Sequence, residues 1–436
     1  MSSSAAIISI QLKKHRRLVE WFQLLARYSF VQAIAQGLGV IAGILVVRSL
    51  PKEAYGCFVI VNTIGPVMDM LSDNGITGSL SAIGGKFWQD DTKMGSLVRT
   101  GMMLRKRLVL FSAPVVLPVL AWMLIRNHAD KLTIAALIVI VMVNVFFQLN
   151  VSILNVVVNL RQQVGRMQAL VISGTLPRLV LIALFAALGL LNAPLAVAAA
   201  ATAFAVQYFL LRHWVRPQIT WCAAPSETYR SQILSIVKKQ APLTIYFCLQ
   251  GQIGIWLISI FGTLHRVAEV GALGRIGMIF AILVSTTSSL IVPRFARCQD
   301  PARLRFLYGV IILCFGGIVA LGTGFAWLFP GPLLSLLGAQ YAKLGGLVWL
   351  AVLASGISSL AAVLYTLNVN RGWIPSALVA VPLEIIGQVF LCLAFDLSSV
   401  RDILMIGILG PLVPAAISVT IALRKMNSAT PSAAAS

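Results

Sequence analysis

The sequence is short of charge. Only 11% of its 436 residues are Asp, Glu, Lys or Arg, against roughly a quarter in ordinary globular proteins, and that excludes a water-soluble fold. Acids are the scarcer sign, with 13 Asp and Glu against 34 Lys and Arg and a net charge of +21. In a soluble chain such an excess would suggest nucleic acid, so the placement of the positive charge decides its meaning. The four histidines (His15, His128, His213, His265) stand alone in loops, and the six cysteines (Cys57, Cys222, Cys248, Cys298, Cys314, Cys392) have no CxxC or CxxH spacing. Neither a zinc site nor a disulfide framework follows. GxxxxGK[ST], HExxH and GxSxG are missing, so ATP hydrolysis, metalloprotease and serine-hydrolase chemistry have no motif to rest on. The expectation is a chain with no catalytic residues, no metal and no cofactor, which is not an enzyme. No cleavable signal is read either, because the apolar stretch before Lys13, Lys14, His15, Arg16 and Arg17 is too short and its basic cluster follows it.

What is abundant is apolar sequence, 59% of residues with a mean hydropathy of +0.91. A helix crossing a hydrocarbon core of ~30 Å needs about 20 mostly apolar residues. Twelve windows meet that need, near 28–47, 55–77, 108–125, 132–156, 167–189, 193–211, 241–262, 269–291, 306–329, 345–367, 374–395 and 403–423. Lys and Arg collect on the cytoplasmic side of membrane proteins, and the loops here alternate accordingly. Twenty-five of the 34 basic residues fall in the arm, in the loops after even-numbered windows and at the C-terminus; the opposite loops hold seven: Arg48, Lys52, Arg126, Lys131, Arg266, Lys343 and Arg401. The excess charge therefore reads as topology and anionic-lipid contact, not nucleic-acid binding. The remaining two, Arg178 and Arg275, fall inside windows.

The reading is an all-α polytopic membrane protein, 12 transmembrane helices as two six-helix bundles around a central cavity. Residues 1–27 form a cytoplasmic N-terminal arm, 28–211 the first bundle, 212–240 a cytoplasmic linker, 241–423 the second bundle and 424–436 a cytoplasmic tail. Six spans per half would preserve orientation in a duplicated unit, giving a pseudo-two-fold axis along the membrane normal. The segment 50–56 (LPKEAYG) between the first two windows faintly matches 264–271 (LHRVAEVG) between the seventh and eighth.

Polar side chains inside lipid are costly and face another helix or water. In the fourth window Asn144, Gln148, Ser152, Asn155 and Asn159 keep to an arc of about 80° at 100° per residue. Asn62, Asp69 and Asp73 repeat the pattern in the second window, Tyr28, Gln32 and Gln36 in the first, and Tyr246 and Gln250 in the seventh. Amide bonds between helices explain any one of these, but four striped spans together point to a shared aqueous cleft. The spacing from Arg166 puts Arg178 near the midplane, about 18 Å along its helix, where it meets either an anionic substrate or an acid among Asp69, Asp73 and Glu384. Arg275, nearer the outer surface, can snorkel. Glu384, two residues after Pro382 and one turn before Gln388, is a proton or sodium candidate, as are Asp69 and Asp73. Asp73-Asn74-Gly75 has the composition of a turn at which a helix breaks.

The run from Gly37-Leu38-Gly39 through Arg48-Ser49-Leu50-Pro51-Lys52-Glu53-Ala54-Tyr55-Gly56, then Ser72-Asp73-Asn74-Gly75, resembles the start of the polysaccharide transport proteins, the Wzx-type flippases of the multidrug/oligosaccharidyl-lipid/polysaccharide exporter superfamily. Those proteins carry a Gly-rich first span, an R-L-G-P-x-x-Y-G turn and an Asp-x-Gly at the end of the second span. Here Arg48-Ser49-Leu50-Pro51 lacks the turn's glycine, while Pro293-Arg294 matches the second-half counterpart. The resemblance implies a flippase that carries a polyprenyl-pyrophosphate-linked oligosaccharide across a bacterial inner membrane by alternating access, for exopolysaccharide or O-antigen assembly. Both termini would be cytoplasmic, with membrane lipids and polysaccharide polymerase or export machinery as partners and no nucleic acid. Such a cavity would use Arg178, Arg275, Asn144, Gln148, Asn155, Gln32, Gln36, Tyr246 and Gln250 for substrate. Two alternatives stand beside it: a multidrug or cation antiporter of the same superfamily, and a glycan polymerase or acyltransferase, which the short outer loops disfavour.

Overall fold

A computed structural model describes residues 30–292, 295, 298, 300–373 and 377–428. The arm at 1–27 and Tyr28, Pro293 and Arg294 lie outside them, as does most of the tail. In lipid every backbone amide must be satisfied within its own element, and the described residues of the twelve expected windows are mainly helical, with short breaks inside several of them. Among the described residues nine helices are each long and apolar enough to cross a membrane, ten if one bent pair counts as a single span.

The first half contains α1 (Phe30–Ser49), α2 (Lys52–Asp73), α3 (Ile76–Gly84), α4 (Asp91–Arg126), α5 (Lys131–Leu160), α6 (Val164–Ala187) and α7 (Ala193–Val215). The second contains α8 (Glu227–Gln250), α9 (Ile253–Phe261), α10 (Leu264–Ile276), α11 (Ile279–Thr286), α12 (Pro301–Leu328), α13 (Pro330–Leu337), α14 (Val348–Val369), α15 (Ala377–Ala394), α16 (Val400–Leu409) and α17 (Leu412–Ser428). Starts are set by side chains that take the free amides of a first turn. Asp90 accepts from Thr92 and Lys93, Asp130 from Leu132 and Thr133, and Asn192 from Leu195. Asp300 does the same ahead of Pro301, a residue suited to a first helical position because it has no amide to leave unpaired.

Several spans differ in detail from their windows. The break expected at Asp73-Asn74-Gly75 is present, with Asn74 and Gly75 both left-handed at φ 37° and 85°. The basic stretch read as a loop after the second window is largely helix. α4 runs for 36 residues, about 54 Å at 1.5 Å per residue, so it projects well past a ~30 Å core. Arg105, counted among loop cations, is thereby a helix residue and is 2% exposed. The eighth window is not one straight helix: α10 and α11 meet at a 45° bend. The expected linker at 212–240 is helical from Glu227, and its irregular part is strapped to α4. Thr220 N–H donates to Asp91 O at 3.0 Å, Arg99 to Trp221 O at 2.8 Å and Ser96 to Ala224 O at 2.6 Å. Ile233 and Val237 of α8 are buried in a core otherwise built from α3, α4, α5, α6, α7 and Ile219.

The two halves meet along a seam where α2 crosses α10. Gly56 and Gly271, at matching places in the two similar segments, make that approach possible. A Cβ on Gly56 would lie 2.6 Å from Leu264 O, and one on Gly271 would collide with Val59. One core runs through the seam, joining Tyr55, Phe58, Ile60 and Ile64 of α2 to Val267, Ala268, Ala272 and Leu273 of α10. Polar ties flank it. Lys52 pairs with Glu269 at 3.0 Å, Gln340 donates to Val47 O at 2.9 Å and Leu50 O at 3.1 Å, and Arg126 donates to Ile260 O at 2.7 Å. The molecule is thus closed at the end carrying the α1–α2 and α9–α10 turns.

Candidate functional site

The expected site residues separate into distinct places. Asp69 and Asp73 sit on one face of α2, where Arg105 of α4 reaches both, at 3.3 Å and 3.0 Å. The same guanidinium donates to Leu149 O at 2.9 Å. Gln148 of α5 hydrogen-bonds Asp69, and Asp73 accepts from the Thr77 amide at 3.1 Å. The two acids read from the sequence as ion-coupling candidates therefore share one buried arginine, and neither pairs with Arg178. Helix spacing explains the grouping: 69 and 73 are one turn apart, and the break after Asp73 turns α3 so that its first amides face that carboxylate.

Beside this cluster runs the amide stripe. The Oδ1 atoms of Asn144 and Asn155 on α5, and the Oε1 atoms of Gln32 and Gln36 on α1, are buried without a hydrogen-bond partner among the described residues. Buried polar atoms are nearly always satisfied, so these call for water or a ligand. Arg178, on α6, is half-buried and its Nε is likewise unpartnered. No ion pair forms between Arg178 and an acid among the described residues, and the charge acting on it comes from another cation, Arg275.

Arg275 reaches back along α10 toward the seam, as helical side chains lean toward the N-terminus of their helix. Its Nε donates to the Tyr55 hydroxyl at 3.3 Å, its Nη1 lies 3.6 Å from Met278 Sδ, and its guanidinium stands 5.9 Å from the centre of the Phe58 ring. Its side chain lies against Gly43 of α1. All of these partners are neutral.

The third place is a cavity of about 790 Å³ within the second half, to which Met70 alone contributes from the first. Glu384 on α15, 7% exposed, faces into it beside Tyr246 and Gln250 of α8 and Tyr365 of α14. Tyr246 lies against the Glu384 carboxyl, whose Oε2 has no hydrogen-bond partner among the described residues. Ser355, Ser358 and Ser359 line the same wall. Arg178 and the α1 and α5 amides do not line it, whereas Gly274 and Met278, on either side of Arg275, do. Among the described residues no group of three His, Cys, Asp or Glu could hold a metal ion.

Sequence reasoning missed Arg105, because it sits in an Arg-Lys-Arg run that looked like an interfacial loop. It also missed the contacts that Tyr55, quoted only as part of the flippase-like turn, and Phe58 make with Arg275. The serines at 355, 358 and 359 were missed as well, although their i, i+3, i+4 spacing is the signal of a polar helix face.

No family model matches the sequence, and no curated protein does. Solved structures do match the fold. An inward-facing multidrug resistance MATE family transporter of the MOP superfamily aligns with a TM-score of 0.71 at 15% identity, over 92% of this chain and 96% of that one. The chain has the MATE fold. An outward-facing MATE transporter of the same superfamily gives 0.61 at 14% identity, over 94% and 96%, and MATE in complex with MaD3S gives 0.62 at 15%, over 94% and 97%. That fold has 12 helices in two bundles, as the hydropathy windows and loop charges anticipated. At such identities the likeness fixes the architecture of a multi-pass membrane protein and nothing beyond it.

Proposed function

We propose that this protein is a flippase that moves a polyprenyl-pyrophosphate-linked oligosaccharide across a bacterial inner membrane by alternating access, with no covalent step. The observation that carries the reading is the pair of arginines. Arg178 has no acidic partner among the described residues, and Arg275, whose charge it senses, is held only by neutral groups. An unpaired cation near the middle of a span costs ~2.5–3.5 kcal/mol on the insertion scale, and two cations near one another add repulsion. A pyrophosphate relieves both, since guanidinium groups bind phosphate oxygens in bidentate fashion. The unpartnered amides of α1 and α5 offer bonds to sugar hydroxyls, while the polyprenyl chain stays in lipid. The seam closes the end that the loop charges assign to the outer face, so the conformation is the one that accepts cargo from the cytoplasm.

Reconstitution tests the reading. In liposomes holding a fluorescent polyprenyl-pyrophosphate glycan, the protein should carry head groups to the far leaflet and leave a cationic dye behind. The dye crossing while the lipid-linked glycan does not would overturn it.

A second reading has its own observation. The cavity in the second half joins a buried carboxyl to Tyr246 and Tyr365, a lining suited to a cation, as a multidrug or cation antiporter requires. In a flippase the same group would serve the driving proton or sodium ion. Glu384→Gln should then abolish the dependence of glycan transfer on an ion gradient while the protein remains folded; unchanged dependence leaves Glu384 structural.

A further inference from the structure

Arg275 belongs to two assemblies at once. It is one of the two cations of the cargo site, and it is also the second half's grip on the buried end of the seam. Tyr55, which accepts its hydrogen bond, is 0% exposed. The Tyr55 ring stacks on Phe58 at 5.9 Å and meets Tyr341 edge-on at 6.5 Å. Lys52 lies 5.4 Å above the Tyr341 ring and completes the cluster through its 3.0 Å pair with Glu269. Tyr55, Phe58 and Lys52 come from the first half; Arg275, Glu269 and Tyr341 come from the second. The bonds holding Arg275 here go to a phenol, a thioether and a ring face, each a weaker acceptor than a phosphate oxygen.

We propose that Arg275 is a latch shared between cargo and seam: a pyrophosphate group arriving at Arg178 draws the Arg275 guanidinium off the Tyr55 hydroxyl and so releases the closed end of the transporter. This rests on the flippase reading and adds to it the step by which loading favours opening toward the far side. Tyr55 is accordingly a positioning residue. It never touches cargo, yet it competes with cargo for one guanidinium. Competition is reciprocal, so anything that weakens the Tyr55 bond must tighten anion binding by the factor that binding loosens the seam. A purely structural Tyr55 carries no such consequence.

The test uses the full chain in lipid nanodiscs, with inorganic pyrophosphate as the probe and spin labels at Lys131→Cys and Arg401→Cys in a background without other cysteines. Both positions are exposed and lie at the seam end. In the otherwise unaltered protein the label distance should be short and should lengthen with pyrophosphate. Tyr55→Phe, which keeps the ring, should lengthen it without pyrophosphate and bind pyrophosphate roughly three- to tenfold more tightly, as expected from losing one long competing hydrogen bond of ordinary strength. Arg275→Ala should lengthen the distance and abolish the response. If Tyr55→Phe binds pyrophosphate no better than the parent, or less well, the latch is overturned while the cargo site stands. If the parent protein does not bind pyrophosphate at all, the cargo reading falls and the latch falls with it.

Discussion

The molecule buries arginine in two contrasting ways. Arg105 is enclosed by two carboxylates and a carbonyl oxygen, all within the first bundle. Among the described residues Arg178 and Arg275 have no carboxylate between them, and the partners of Arg275 are neutral groups drawn from both halves. A buried charge whose partners are all present is a structural fixture, because removing either side strands the other. One that is unmatched is costly until something anionic arrives, which is the property a binding site needs. The difference lies in the partners, since all three residues read alike as intramembrane or near-membrane cations.

The largest effect should come from Arg105→Ala, which leaves Asp69 and Asp73 facing each other half-buried. A loss of about 3–5 kcal/mol is expected for breaking a buried pair, seen as aggregated or low-melting protein in detergent; a wild-type melting curve would mean the cluster is wet and dispensable. Arg178→Ala should do the reverse. Glycan transfer should fall at least tenfold while the melting temperature holds or rises, because a stranded cation has been removed. Arg178→Lys should keep part of the activity if charge alone matters, and full activity in the alanine variant would take Arg178 out of the site. The smallest effect belongs to Lys52→Ala at the rim of the seam. Its pair with Glu269 is partly exposed, so about 0.2–1 kcal/mol is at stake, detectable as a small shift of the label distance and no loss of folding.

Much of the architecture was legible from composition. Helices that satisfy their own backbone are the simplest response to lipid, so hydropathy windows and alternating loop charge located the crossings. Breaks were less visible. Asp73-Asn74-Gly75 declared itself by left-handed formers, whereas the bend between Ile276 and Ile279 is marked only by Gly277, a residue that helices also tolerate. The stripe on α5 could be read from its periodicity, because polar residues on one helix face need no tertiary knowledge. Pairing could not be read. That Asp69 and Asp73 belong to Arg105, and that Arg275 reaches Tyr55, depends on which helices cross and at what height, and a hydropathy profile holds neither quantity. For the same reason Glu384 and Arg178, weighed as partners on the sequence, occupy separate places in the fold.

The decisive observable is where a diphosphate group comes to rest. A structure of the full-length protein with a short-chain polyprenyl pyrophosphate should show the diphosphate between Arg178 and Arg275, with Arg275 withdrawn from Tyr55. Diphosphate density elsewhere, with Arg178 still unpartnered and Arg275 still on Tyr55, would contradict it.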